Sequence, residues 1–223
     1  MASGPTFNNS LATAVTSALA TYNVGVTGCN PLDTILFFII NSTNANPTIL
    51  PTSVVDSVQG PLSLAASVQN SFNHSIGIYA LVNANPGSHT ITPTFASAVA
   101  STNVWMNFSN PTGSFVDQAG GNYNSASATY AQALTNVQSN DTVVSFVDGG
   151  AVAWASQSGT NVPVAGLGSG TLFQWQTQAG SGLITPNFVA SLSTYGSIAA
   201  VSLQNNPALA SGGNFFLMQQ FRR

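Results

Sequence analysis

Lysine and glutamate are absent from this sequence, and charged residues together make up 3% of its 223 positions. Ordinary globular domains carry roughly 25%. The full set is Asp33, Asp56, Asp117, Asp141, Asp148, Arg222 and Arg223. Both cations fall at the last two positions, so no basic surface can be built along the chain. Recognition of nucleic acid needs several Lys or Arg to neutralise phosphates, and that class of partner is excluded. One cysteine, Cys29, excludes an intrachain disulfide, and nothing beside it in sequence activates a thiolate. No apolar run reaches the roughly 18 residues of a membrane span. The first ten residues lack the basic and apolar regions of a secretory signal.

What replaces charge is Ser, Thr, Asn and Gln, on a background that is 44% hydrophobic. Such a chain is too apolar to be disordered, since disorder needs low hydrophobicity with high net charge. A freely diffusing monomer normally relies on surface charge for solubility. An uncharged surface suits a protein that works in an assembly, and a homo-oligomer is the expectation.

The longest apolar run is Asp33–Asn41, with six consecutive residues drawn from Ile, Leu and Phe between turn formers. It reads as a strand with both faces apolar: Ile35, Phe37 and Ile39 on one, Leu36, Phe38 and Ile40 on the other. A sandwich strand with one wet face alternates. The run therefore predicts a central strand covered on its outer face by the arm, by a loop or by a neighbouring subunit. Phe37 and Phe38 accordingly become candidate partner contacts. Tyr123, in a Gly- and Asn-rich stretch, and the terminal Arg222 and Arg223 complete that set.

Short strands with Gly-, Pro- and Asn-bearing turns recur along the chain, with no convincing helical periodicity. The expected fold is all-β, an antiparallel β-sandwich or jelly roll. Its parts are an N-terminal arm (1–10) and a single domain (11–223), divided into halves of about 11–110 and 125–223 by a link at 110–124. Ile76, Ile78, Ala80 and Val82 share one parity, and Asn83–Ser88 is expected to turn that strand directly into Thr90–Phe95 as a hairpin.

The halves share a pattern. Ile91-Thr92-Pro93-Thr94-Phe95 recurs as Ile184-Thr185-Pro186-Asn187-Phe188, and Asp33-Thr34 as Asp141-Thr142. Ile78–Val82 corresponds to Phe173–Thr177, and Val104–Phe108 to Ile198–Ser202. Pro93 and Pro186 cannot donate to a ladder, so each is expected at an edge or a bulge.

Catalytic constellations are missing. Gly166-Leu167-Gly168-Ser169-Gly170 places its serine one position late for a nucleophile elbow and has no helix to follow. His74 and His89 read as strand-end residues, and Asp33 and Asp141 as turn caps. The aspartates are spread singly, unlike a calcium site. No enzyme activity, cofactor or metal is expected. Trp105, Trp154 and Trp175 read first as core residues, with a sugar-stacking platform as the alternative. The five sequons, at Asn8, Asn41, Asn73, Asn107 and Asn140, matter only in a glycosylating compartment.

Several segments together resemble a β-sandwich domain of phage and prophage virion structural proteins. They are Pro86–Phe95, then Asn107-Phe108-Ser109 with Val116-Asp117, then Asn140–Val144, and finally Met218–Arg223. Val55–Gly60 retains only part of another segment of that pattern. The resemblance implies a non-enzymatic role as capsid decoration, cement, or tail- and fibre-associated protein. The implied partners are capsid or tail structural proteins, and the implied location is the virion. An extracellular carbohydrate-binding or adhesive module is the alternative.

Overall fold

The computed structural model describes residues 5–41, 50–69, 75–109, 113–149, 153–156, 158–162 and 170–205. The described residues form strands and turns and contain no helix. The first half holds β1 (Thr6–Thr21), β2 (Val24–Cys29), β3 (Asp33–Asn41), β4 (Ser53–Asp56), β5 (Gly60–Pro61), β6 (Ser63–Gln69), β7 (Ser75–Ala84) and β8 (Gly87–Ser109). The second holds β9 (Ser114–Ala131), β10 (Leu134–Val137), β11 (Thr142–Gly149), β12 (Trp154–Ser156), β13 (Thr160–Val162), β14 (Thr171–Thr177), β15 (Gly182–Ile184) and β16 (Asn187–Asn205).

Every pairing is antiparallel, and the two main sheets have the same plan. In the first the order is β5-β4-β8-β3-β7-β6, with β1 and β2 also on β8. In the second it is β12-β16-β11-β14-β13, with β9 also on β16. The strands common to these two orders thus correspond, as the repeated motifs predict, while β2 and β5 extend the first sheet and β10 and β15 pair separately. The ladders refine the alignment. Phe38 pairs with Ile78 and Val104, while Phe146 pairs with Phe173 and Ala199. Ile78 therefore matches Phe173, as expected. Val104 matches Ala199 rather than Ile198, one residue from the sequence alignment. Both long strands carry the same bulge: β8 runs from Thr94 to Val99 while β1 covers Leu19 to Thr21, and β16 runs from Val189 to Thr194 while β9 covers Ser127 to Thr129.

β3 is buried over its whole length. Its Ile35, Phe37 and Ile39 pack with Val24 and Val26 of β2, Val54 of β4 and Ile91 of β8. Leu36, Phe38 and Ile40 pack with Val144 and Phe146 of β11, Phe173 of β14 and Val201 of β16. The double-sided apolar run is thus explained inside one chain. The single sheet of the first half folds over one face of β3 through β2, β4 and the start of β8, and the other face of β3 packs on β11, β14 and β16 of the second half. β11 repeats the arrangement: its outer face sets Val143 against Leu134 and Val137 of β10, and Val147 against Tyr130 and Phe188. Each fully buried Phe or Ile contributes about 1.5–3 kcal/mol by leaving water.

Several expectations are corrected. β7 and β8 do not form a hairpin: β3 lies between them and pairs with both. A short connection and alternating parity identify neighbours in sequence, not in the sheet. β1 begins at Thr6, so half of the expected arm is sheet. Most of the expected link is strand β9. Its glycines serve close approach rather than a turn: a Cβ on Gly121 would lie 2.2 Å from Val68 Cγ2. Pro93 lies within β8 opposite Val54, where the facing chain is between the end of β1 and the start of β2. Pro186 lies in the break between β15 and β16. The Met218–Arg223 segment lies outside the described residues.

Candidate functional site

The two halves are joined by reciprocal contacts that begin at two matching turns. In Asn30–Asp33, the Asp33 N–H donates to Asn30 O (3.2 Å) and Asp33 Oδ2 accepts from the Asn30 N–H (2.9 Å). In Gln138–Asp141 the same two bonds recur at 3.2 and 2.9 Å. The residue before each aspartate has positive φ, 67° at Leu32 and 71° at Asn140. Each carboxylate also accepts from the strand that follows it in the sheet: Asn107 Nδ2 donates to Asp33 (2.8 Å), and Ser202 Oγ donates to Asp141 (2.9 Å). Asn107 and Ser202 are equivalent ladder positions. Both aspartates are turn caps, as expected.

The next residue in each half crosses to the other. Thr34 Oγ1 bonds Ser114 Oγ at the start of β9, and Thr142 Oγ1 donates to Pro5 O just before β1. The Phe7 ring stacks on Trp175 at 6.4 Å and meets Phe108 edge-on at 5.8 Å.

Asp141 is buried, and desolvation pushes its carboxyl above the usual aspartate value. Bonds from Gln138 and Ser202 oppose this, and the Asp117 charge adds to it. Cys29 is buried, and desolvation with the Asp33 and Asp56 charges pushes its thiol up to about 11. A protonated, enclosed thiol is inert, as expected for a lone cysteine used as a small hydrophobe.

His89 is buried and faces Val26 on β2, not Val82. Its Nδ1 lies 3.0 Å from Asp56 Oδ1 and Oδ2, and its Nε2 lies 2.8 Å from Asn85 O. Both ring nitrogens thus lie against oxygens that can accept a hydrogen bond. Asp56 Oδ2 also accepts from the Val58 and Gln59 N–H groups. Composition and spacing gave no sign of this buried pair. It resembles two members of a triad, but Nε2 is committed to a carbonyl and, among the described residues, no hydroxyl is bonded to the ring. His74 lies outside the described residues.

The candidate partner contacts separate. Phe37 and Phe38 have no exposed surface and lie in two different cores of the same chain, so neither ring reaches a partner. Tyr123 is half-buried and packs against the central core rather than standing on an open loop. Arg222 and Arg223 lie outside the described residues. Trp105 is buried, while Trp154 and Trp175 are half-buried against Tyr130 and Phe7. Core packing accounts for all three. Asn41 and Asn107 are buried, which removes two sequons.

The surface is poorer in charge than the composition implies. Asp33, Asp56, Asp141 and Asp148 are each at most 6% exposed. Asp117 is half-buried, and the described residues include no lysine or arginine. Apolar side chains stand out instead, among them Leu11, Leu64, Phe115 and Leu192.

No family model matches this chain, and no curated protein matches it. Among solved structures it is similar to the crystal structure of the STIV MCP, a viral major capsid protein. The match covers 93% of this chain and all of that one, with 7% identity and a TM-score of 0.25. A likeness at that level fixes neither fold nor function.

Proposed function

We propose that this chain is a non-enzymatic virion structural protein, a capsid decoration, cement or tail-associated subunit that docks on a viral lattice and on copies of itself. The observation that carries this reading is the distribution of charge. Four of five aspartates are at most 6% exposed, so apart from the half-buried Asp117 the surface of the described residues is amide, hydroxyl and apolar. Such a surface is poor at keeping monomers apart and loses little on being covered. Stabilisation then comes from buried area and neutral hydrogen bonds, with salt-screened attraction nearly absent.

The repeat-bearing segments that resemble phage virion domains direct the reading to a virion. The carbohydrate-binding alternative lacks an open tryptophan among the described residues. The test is quantitative mass spectrometry of gradient-purified particles from the source. Many copies of this chain per particle are expected. Its absence from particles, with secretion as a free protein, would overturn the reading.

A further inference from the structure

We propose that the open edge of β1, over Asn9–Val15, pairs antiparallel with the same segment of a second copy. This rests on the self-associating role above and names its contact. β1 is 16 residues long, and its ladder partner among the described residues is β8. Among the described residues no strand pairs its other edge, which runs along roughly 50 Å of strand. Edges of this kind are normally blunted by charge, proline or bulges, because they template pairing with another chain.

None of the first two devices is present: Thr6–Thr21 contains no ionisable residue and no proline. The register shifts fall between Phe7 and Asn9 and beyond Val15, which leaves Asn9–Val15 unbroken opposite Asn107–Ser101. The equivalent strand β9 is less suited. It carries Asp117, and its Gly121 is pressed against Ser67 and Val68 of β6.

A second copy is the occupant that the chemistry favours. A charged partner finds nothing on β1 to recognise. An isologous antiparallel pair centred near Ala12 instead sets uncharged side chains opposite one another across a two-fold axis, with no like charges facing. Leu11, 44% exposed, and the exposed Ala14 flank that centre. Main-chain bonds supply the association, and Leu11 is covered by it.

The experiment compares the full chain with Leu11→Lys/Ala14→Lys and Leu11→Gln/Ala14→Gln by size-exclusion chromatography with light scattering. Circular dichroism checks that each is folded. The wild-type chain is expected to associate. The lysine pair raises the dimer dissociation constant at least about tenfold, because the two charges at position 11 lie diagonally across the axis on one face and those at position 14 add like charge on the other, and the glutamine pair stays near wild type. Association that survives the lysines unchanged overturns the β1 contact and leaves the assembly reading standing. A monomeric wild-type chain overturns both. If the lysine variant unfolds, Leu11→Cys decides: a short bismaleimide is expected to link it into covalent dimers, with buried Cys29 silent. Failure to cross-link in an associating sample overturns the proposal.

Discussion

Phe38 and Phe146 occupy equivalent positions in the two halves and meet edge to face, with ring centroids 5.2 Å apart and planes at 79°. Phe173 completes the cluster, 5.0 Å from each of them. The halves therefore share a central core and do not merely sit side by side. Its side chains come from β3, β11 and their ladder neighbours.

Truncating either ring removes a fully buried aromatic from that core. Phe38→Ala and Phe146→Ala should each lower stability by about 3–5 kcal/mol. The double variant should cost less than the sum, since the two rings share one cavity. Denaturant unfolding of the three variants checks this. Phe37→Ser should also destabilise folding, because its ring lies in the other core of β3 and not at a partner surface.

His89 and Asp56 form a buried pair with 3.0 Å contacts. Removing the ring leaves a carboxylate with the backbone N–H groups of Val58 and Gln59. His89→Ala should cost about 3–5 kcal/mol, the range for breaking a buried pair. Thermal unfolding should show the loss. A cost below about 1 kcal/mol, as for an exposed pair, would contradict the assignment.

Asp141 binds its proton more tightly in the folded chain than in the unfolded one, because burial raises its pKa from 3.8. The folded state then holds more protons in the window from 3.8 up to the raised value. The contribution of this group to stability is highest below that window and falls as pH rises through it. Asp141→Asn should remove this fall and leave the turn formed, since the amide oxygen can still accept from Gln138 N–H. Chemical denaturation at a series of pH values measures the slope.

Cys29, with its thiol at about 11 and its side chain enclosed, should react with a thiol reagent only on unfolding. At neutral pH, labelling of the native chain should be at least about tenfold slower than in denaturant. Comparable rates would show that β2 opens readily.

The strands were legible where chemistry and period agreed. The Ile-Leu-Phe run gave β3, and Asp-Thr at Asp33 and Asp141 gave two equivalent starts that the structure places in matching turns. The doubled apolar parity of β3 was legible too, although its cover comes from β2, β4 and β8 of the same chain and from the second half. Pairing was not legible. Nothing between Ala84 and Gly87 signals that β3 intervenes, because sheet order depends on contacts distant in sequence. The Gly120-Gly121 pair read as a link because glycine marks both turns and close approaches, and sequence does not separate the two. The Asp56–His89 pair was hidden for the same reason, being 33 positions apart with no local motif.

The measurement that bears most directly on the account is sedimentation velocity of the purified chain at high concentration, in salt from about 50 mM to 1 M, where the Debye length falls from over 10 Å to about 3 Å. Association into defined larger species at every salt concentration, with little change in its constant, is the predicted result. A chain that stays monomeric throughout, or whose association collapses as salt rises, would contradict assembly through an uncharged surface.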